Sequence, residues 1–101
     1  VRWRAPARKD ANHREIVDGL LARGYTVLEL HAVGGGVPDI LVGGRGCNVL
    51  MEIKNPARRT KGDNAIKTLE RQRKWRAAWR GPVVQIETLE QAVAAMELHA
   101  A

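Results

Sequence analysis

The chain predicts a single α/β domain, a mixed sheet flanked by helices in the order αβββαβα. Three observations carry that expectation. Two apolar runs, Ile40-Leu41-Val42 and Val49-Leu50-Met51, flank the cluster Gly43-Gly44-Arg45-Gly46 and read as antiparallel strands joined by a tight turn. Segments with helical spacing and cap signals stand before and after that hairpin. A length of 101 residues suits one modest core and not two.

Each element has its own warrant. Residues 1–9 read as a flexible basic arm broken by Pro6, and the folded domain spans 10–101. A helix is expected to begin near Asp10 or Asn12, with Asn12 and Glu15 at capping-box spacing. Ile16, Val17, Leu20 and Leu21 form its apolar stripe, and Gly24 is its stop. Tyr25 to Leu30 reads as the first strand. Gly34-Gly35-Gly36 is a loop that must turn freely or let the backbone approach something closely, here expected to be nucleic acid or a metal site. It lacks the Lys-Ser/Thr that follows a phosphate-binding loop, so no nucleotide cofactor is expected.

Asp39 to Lys54 supplies strands two and three. Asn55 to Asn64 is a basic loop containing Pro56 and Gly62. A helix follows over Ala65 to Arg80, closed by Gly81-Pro82, and Val83 to Ile86 is a fourth strand. Thr88 and Gln91 form a second capping box, opening a helix to His99 that turns Leu89, Ala92, Val93 and Met96 inward.

Composition narrows the function. A single cysteine cannot form an internal disulfide, and with no Cys/His cluster a zinc site is not expected. No apolar run approaches the ~18 residues of a membrane span, and the basic start lacks a signal-peptide core. The expectation is a soluble, cytoplasmic protein with no membrane partner. The net charge of +6 is unevenly placed. Four of 17 basic residues lie in the first nine positions, and ten run from Lys54 to Arg80 against only Asp63 and Glu70. Counterion release makes such clusters the usual footprint of a phosphate backbone. A solvated face, an acidic protein and a membrane surface are the alternatives. Arg2, Arg4, Lys9, Arg58, Arg59, Lys61, Lys67 and Arg71 are the candidate contacts.

The hairpin carries the chemistry. Its turn lies midway between Asp39 and Glu52, so folding sets them roughly opposite each other. Alternation puts Asp39, Glu52 and Lys54 on one face, expected to meet solvent, and Ile40, Val42, Met51 and Ile53 on the other. Two carboxylates and an ammonium converge within a basic protein. Met51-Glu52-Ile53-Lys54 alone also fits any half-buried strand.

Pro38-Asp39 with Glu52-Ile53-Lys54 resembles the signature of the PD-(D/E)XK nucleases. The wider pattern is similar to the VRR-NUC (virus-type replication-repair nuclease) family, in its small stand-alone phage and prophage form. Asp10-Ala11-Asn12 to Glu15-Ile16-Val17, Val33 to Asp39, Glu52 to Asn55, Gln72 to Trp75 and Ala78 to Val83 all share that likeness, over nearly the whole chain. The resemblance implies a restriction-endonuclease-like fold and a magnesium-dependent DNA endonuclease, with manganese as substitute. It implies a homodimer favouring branched DNA such as four-way junctions.

Magnesium takes oxygen ligands and keeps several waters, so Asp39 and Glu52 suffice as side-chain ligands. The resemblance adds the Ile53 carbonyl, and Glu15 as an acid that joins the metal site or its waters; capping the helix is the alternative role of Glu15. Lys54 is then beside the attacking water, positioning it or stabilising the charged transition state. Gln72 shares a helical stripe with Leu69, Trp75 and Trp79. An amide there costs free energy unless hydrogen-bonded, to the catalytic group or to core backbone. Trp75 and Trp79 are expected as core residues, or else as a self-association surface. Trp3 could stack on a base or lie in a disordered arm. His13, His31 and His99 show no ligand spacing. The competing function is a non-catalytic nucleic-acid-binding module whose acids and lysine form a surface ion-pair cluster. A structural or interaction protein built on Trp75 and Trp79 is the third class.

Overall fold

In a computed structural model, residues 11–56 and 63–101 are described. The elements are α1 (Ala11–Ala22), β1 (Thr26–Glu29), β2 (Ile40–Gly44), β3 (Cys47–Ile53), α2 (Asp63–Ala78), β4 (Val83–Ile86) and α3 (Leu89–His99). The order is the expected αβββαβα. The four strands form one mixed sheet ordered β1-β2-β3-β4, antiparallel except where β4 returns parallel to β3 through α2.

The β2–β3 hairpin turns on Arg45 and Gly46, both at positive φ, 54° and 80°. That is the geometry of a tight turn whose twist matches the flanking strands. Its register pairs Ile40 with Met51 and Gly44 with Cys47, which sets Asp39 opposite Glu52 as the midpoint argument requires. Ile40, Val42, Val49, Met51 and Ile53 then line one sheet face. On it lie Ile16 and Leu20 of α1 and Ala92, Ala95 and Met96 of α3, making the core. Thr88 caps α3 by accepting from the Gln91 N–H at 3.1 Å, and Gln91 Oε1 accepts from the Glu87 N–H at 2.6 Å. The second capping box therefore forms, with its return bond one residue ahead of the cap.

Two expectations for α1 need correction. Asn12 does not cap: it is already helical, and its amide Nδ2 donates to the carbonyls of Lys54 (2.9 Å) and Glu87 (3.3 Å). Leu21 is 51% exposed, because the inward line of the helix runs through His13, Ile16 and Leu20. His13 earns its burial by a 2.9 Å bond between Nε2 and Glu29 Oε1, with His31 Nδ1 3.6 Å from the same oxygen. It is thus a tie between α1 and β1.

The opposite sheet face carries Leu41, Leu50 and Glu52, and α2 lies over it. The expected core role of Trp75 and Trp79 does not hold. The two indoles stack at 4.9 Å and 15°, half-buried at Trp75 and 47% exposed at Trp79. Among the described residues α2 is the one helix on this side, and no second layer closes over the indoles.

Candidate active site

Strand geometry brings Asp39 and Glu52 together, and local bonds hold each in place. Asp39 stands one residue before β2, where its carbonyl accepts from the Leu30 N–H at 2.7 Å. Its carboxylate Oδ2 accepts from the Ile53 N–H, also at 2.7 Å. Lys54 follows β3 directly. Its N–H donates to Ile86 O at 2.8 Å, and its carbonyl is held by Asn12. Both neighbours of Glu52 are therefore fixed through backbone.

Helix α2 closes the group from above. Lys54 Nζ donates to Gln72 Oε1 at 2.6 Å, and Gln72 Nε2 donates to Glu52 Oε2 at 3.1 Å. Lys54 Nζ lies 3.7 Å from that same oxygen. Gln72 thus bonds to the acid and the lysine, not to core backbone. Its position depends on Gly36. A Cβ at residue 36 would come 2.4 Å from the Arg71 carbonyl oxygen and 3.1 Å from the Gln72 nitrogen. The close approach expected of this glycine loop is made to α2, the helix that delivers Gln72.

Glu52 does not face solvent: it is 5% exposed. Burial raises its pKa from 4.5 to about 7; the charge of Asp39 and a hydrogen bond between the two carboxyls push the same way, against Lys54 and Arg76. Arg76 is a site neighbour missing from the sequence expectations. It sits one helical turn beyond Gln72, and its Nη1 donates to Oε1 of Gln85, the residue beside Glu52 on β4. The spacing of four from Gln72 was the available signal.

The remaining candidates differ in their relation to this group. Glu15 is exposed on α1, and among the described residues no hydrogen bond or ion pair joins it to Asp39, Glu52, Lys54 or Gln72. Ile53 contributes its N–H to Asp39. Lys67 and Arg71 are exposed on α2. Arg2, Arg4, Lys9, Arg58, Arg59, Lys61 and Trp3 lie outside the described residues.

A hard divalent cation fits this donor set. Two carboxyls in contact, one driven to a pKa of about 7, form the electrostatic situation that a cation relieves. The donors are oxygens, which suits magnesium or manganese over zinc. Among the described residues no three His, Cys, Asp or Glu side chains gather into a group that could hold an ion.

No family model matches the chain, and no significant match is found among curated proteins or solved structures. The class defined by fold and geometry is therefore a mixed α/β domain with a carboxylate–lysine–glutamine group at one end of its sheet.

Proposed function

We propose that this protein is a metal-dependent endonuclease that hydrolyses DNA phosphodiester bonds, built on the PD-(D/E)XK pattern and similar in its motifs to stand-alone VRR-NUC proteins. One observation carries the reading: Gln72 ties Glu52 to Lys54, and Asp39 shares a hydrogen bond with Glu52, within a protein of net charge +6. A pure binder gains nothing from two acids in contact beneath a basic helix, since they repel phosphate unless a cation screens them.

Asp39 and Glu52 are the residues that would hold magnesium, which would supply there a lowered pKa for water and an offset to charge on the phosphoryl oxygens. Lys54 brings a fixed positive charge to the same place, able to orient the attacking water or to stabilise the developing negative charge. Gln72 holds the Lys54 ammonium and the Glu52 carboxyl in register. Arg76 adds positive charge toward the phosphate side of Glu52.

The substrate class follows from the resemblance: branched DNA, four-way junctions above all, cut by a homodimer. The test is incubation of labelled duplex, single-stranded, flapped and four-way-junction DNAs with magnesium. Cleavage of branched substrates is expected. Binding without cleavage of any of them would leave a non-catalytic nucleic-acid-binding module.

A further inference from the structure

Beside the proposed site runs an apolar groove that the chemistry above does not use. It has a volume of about 630 Å³, and its walls include Leu41 and Leu50 from the sheet, Leu30 just past β1, Pro82, Trp75 of α2 and Trp79 just after it. We infer that this groove receives an unstacked nucleobase of a single-stranded segment next to the phosphate held at the site. The inference rests on the nucleic-acid reading and adds to it what lies beside the cut.

Three observations favour this occupant. One indole face of Trp79 lies against Trp75, yet the residue stays 47% exposed. An accessible indole at a groove mouth is a platform on which any base can stack. The helix that walls the groove is basic: Arg71, Arg73, Lys74 and Arg80 are exposed along or just after α2, and Glu70 is the lone acid from 65 to 80. A strand of phosphates running along that helix is matched in charge. A second copy laid on the same groove by a two-fold axis would set these cations against each other. Finally, the groove is continuous with the site through one helix. At ~1.5 Å per residue, Trp79 lies about 10 Å along α2 from Gln72, a distance a strand covers in about three nucleotides at ~3.4 Å each.

The geometry also gives a reason for selectivity. A paired, stacked duplex cannot place a base in the groove without first unstacking and unpairing it. An unpaired base next to a junction or flap has no such cost. The groove therefore favours substrates with single-stranded character, through apolar contact and not through sequence.

The test is binding without turnover. In EDTA, a labelled oligothymidylate and a blunt duplex are titrated against the parent chain, Trp79→Ala and Trp79→Tyr, each checked for its melting transition. Trp79→Ala should weaken oligothymidylate binding about tenfold and leave the duplex unchanged, while Trp79→Tyr should restore it. Trp3→Phe, in which only Trp75 and Trp79 remain as tryptophans, should show emission quenched by the oligothymidylate and not by the duplex. Equal losses on both DNAs, or no quenching, would overturn the inference. So would a dimer by light scattering that Trp79→Ala dissociates. Tryptophan-dependent binding without cleavage of any DNA retires the nuclease and keeps the groove. Cleavage with tryptophan-independent binding does the reverse.

Discussion

Replacing Glu52 by Gln removes a carboxyl that is 5% exposed and has a pKa of about 7, so activity and stability should change together. Asp39→Asn, Glu52→Gln and Lys54→Ala should each reduce cleavage below detection or by about 10²–10³-fold, while DNA binding in EDTA persists. Gel assays and anisotropy on the same preparations check this, and full activity in any of the three would contradict the assignment. The pH dependence of stability has a definite sign. Between pH 4.5 and about 7 the folded chain keeps a proton on Glu52 that the unfolded chain has released. Metal-free stability should therefore fall as pH rises through that window, at most by about 1.4 kcal/mol per unit from this group, and level off above it. Glu52→Gln imitates the protonated acid. Its melting temperature in EDTA should match the parent at the acid end of the window and exceed it above the window. A Glu52→Gln chain less stable than its parent in alkali would show that Glu52 is not held protonated.

At the scale of elements, the seat of α2 is the sensitive part. Gly36 has φ +90° and touches α2 backbone, whereas Gly35, at φ +69°, has open space around the position of its missing Cβ. Both substitutions to Ala incur the left-handed backbone cost of about 1–3 kcal/mol. Only Gly36→Ala must also displace α2, and with it Gln72. Gly36→Ala should thus lose cleavage by a further factor of about 10–100, as expected when a group that orients an active site is misplaced. Gly35→Ala should keep its rate once folded. Single-turnover rates and thermal melts on the pair separate the two effects, and equal rates would place Gly36 outside the site's support. Asn12 plays a similar part from the other side, binding α1 to the backbone beyond β3 and β4.

For the whole molecule, the distribution of charge and the proposed metal requirement set the expectations. Magnesium or manganese should support cleavage. Calcium, with longer and looser coordination, should support binding with little turnover. Cleavage undiminished in excess EDTA would remove the metal from the mechanism. Affinity for DNA should fall steeply with salt, since exposed Lys67, Arg71, Arg73, Lys74 and Arg80 can each release a counterion. On a four-way junction the protein should act as a homodimer and leave paired nicks, with light scattering giving the stoichiometry. A monomer that cuts linear duplex and junction equally would remove the symmetry and leave the chemistry.

What the amino-acid order determined by itself is local and periodic. The glycine-rich turn and two apolar runs dictate the hairpin register, which by itself sets Asp39 and Glu52 opposite each other. Capping at Thr88 and the stop at Gly81-Pro82 are set by residues within a few positions of each other. The tertiary structure decided everything that depends on one element covering another. Glu52 reads as an outward strand residue and becomes buried because α2, some twenty residues later, lies across that face. Asn12 has the spacing of a cap, yet its amide serves carbonyls brought to it from Lys54 and Glu87. Gly36 signals close approach without naming the neighbour, and Trp75 and Trp79 show an apolar stripe without showing whether a second layer covers it. Strand and helix periodicities tell which residues share a face; which face is then buried depends on long-range packing, and here that packing turned a plain hairpin into a site with a carboxyl titrating near neutrality.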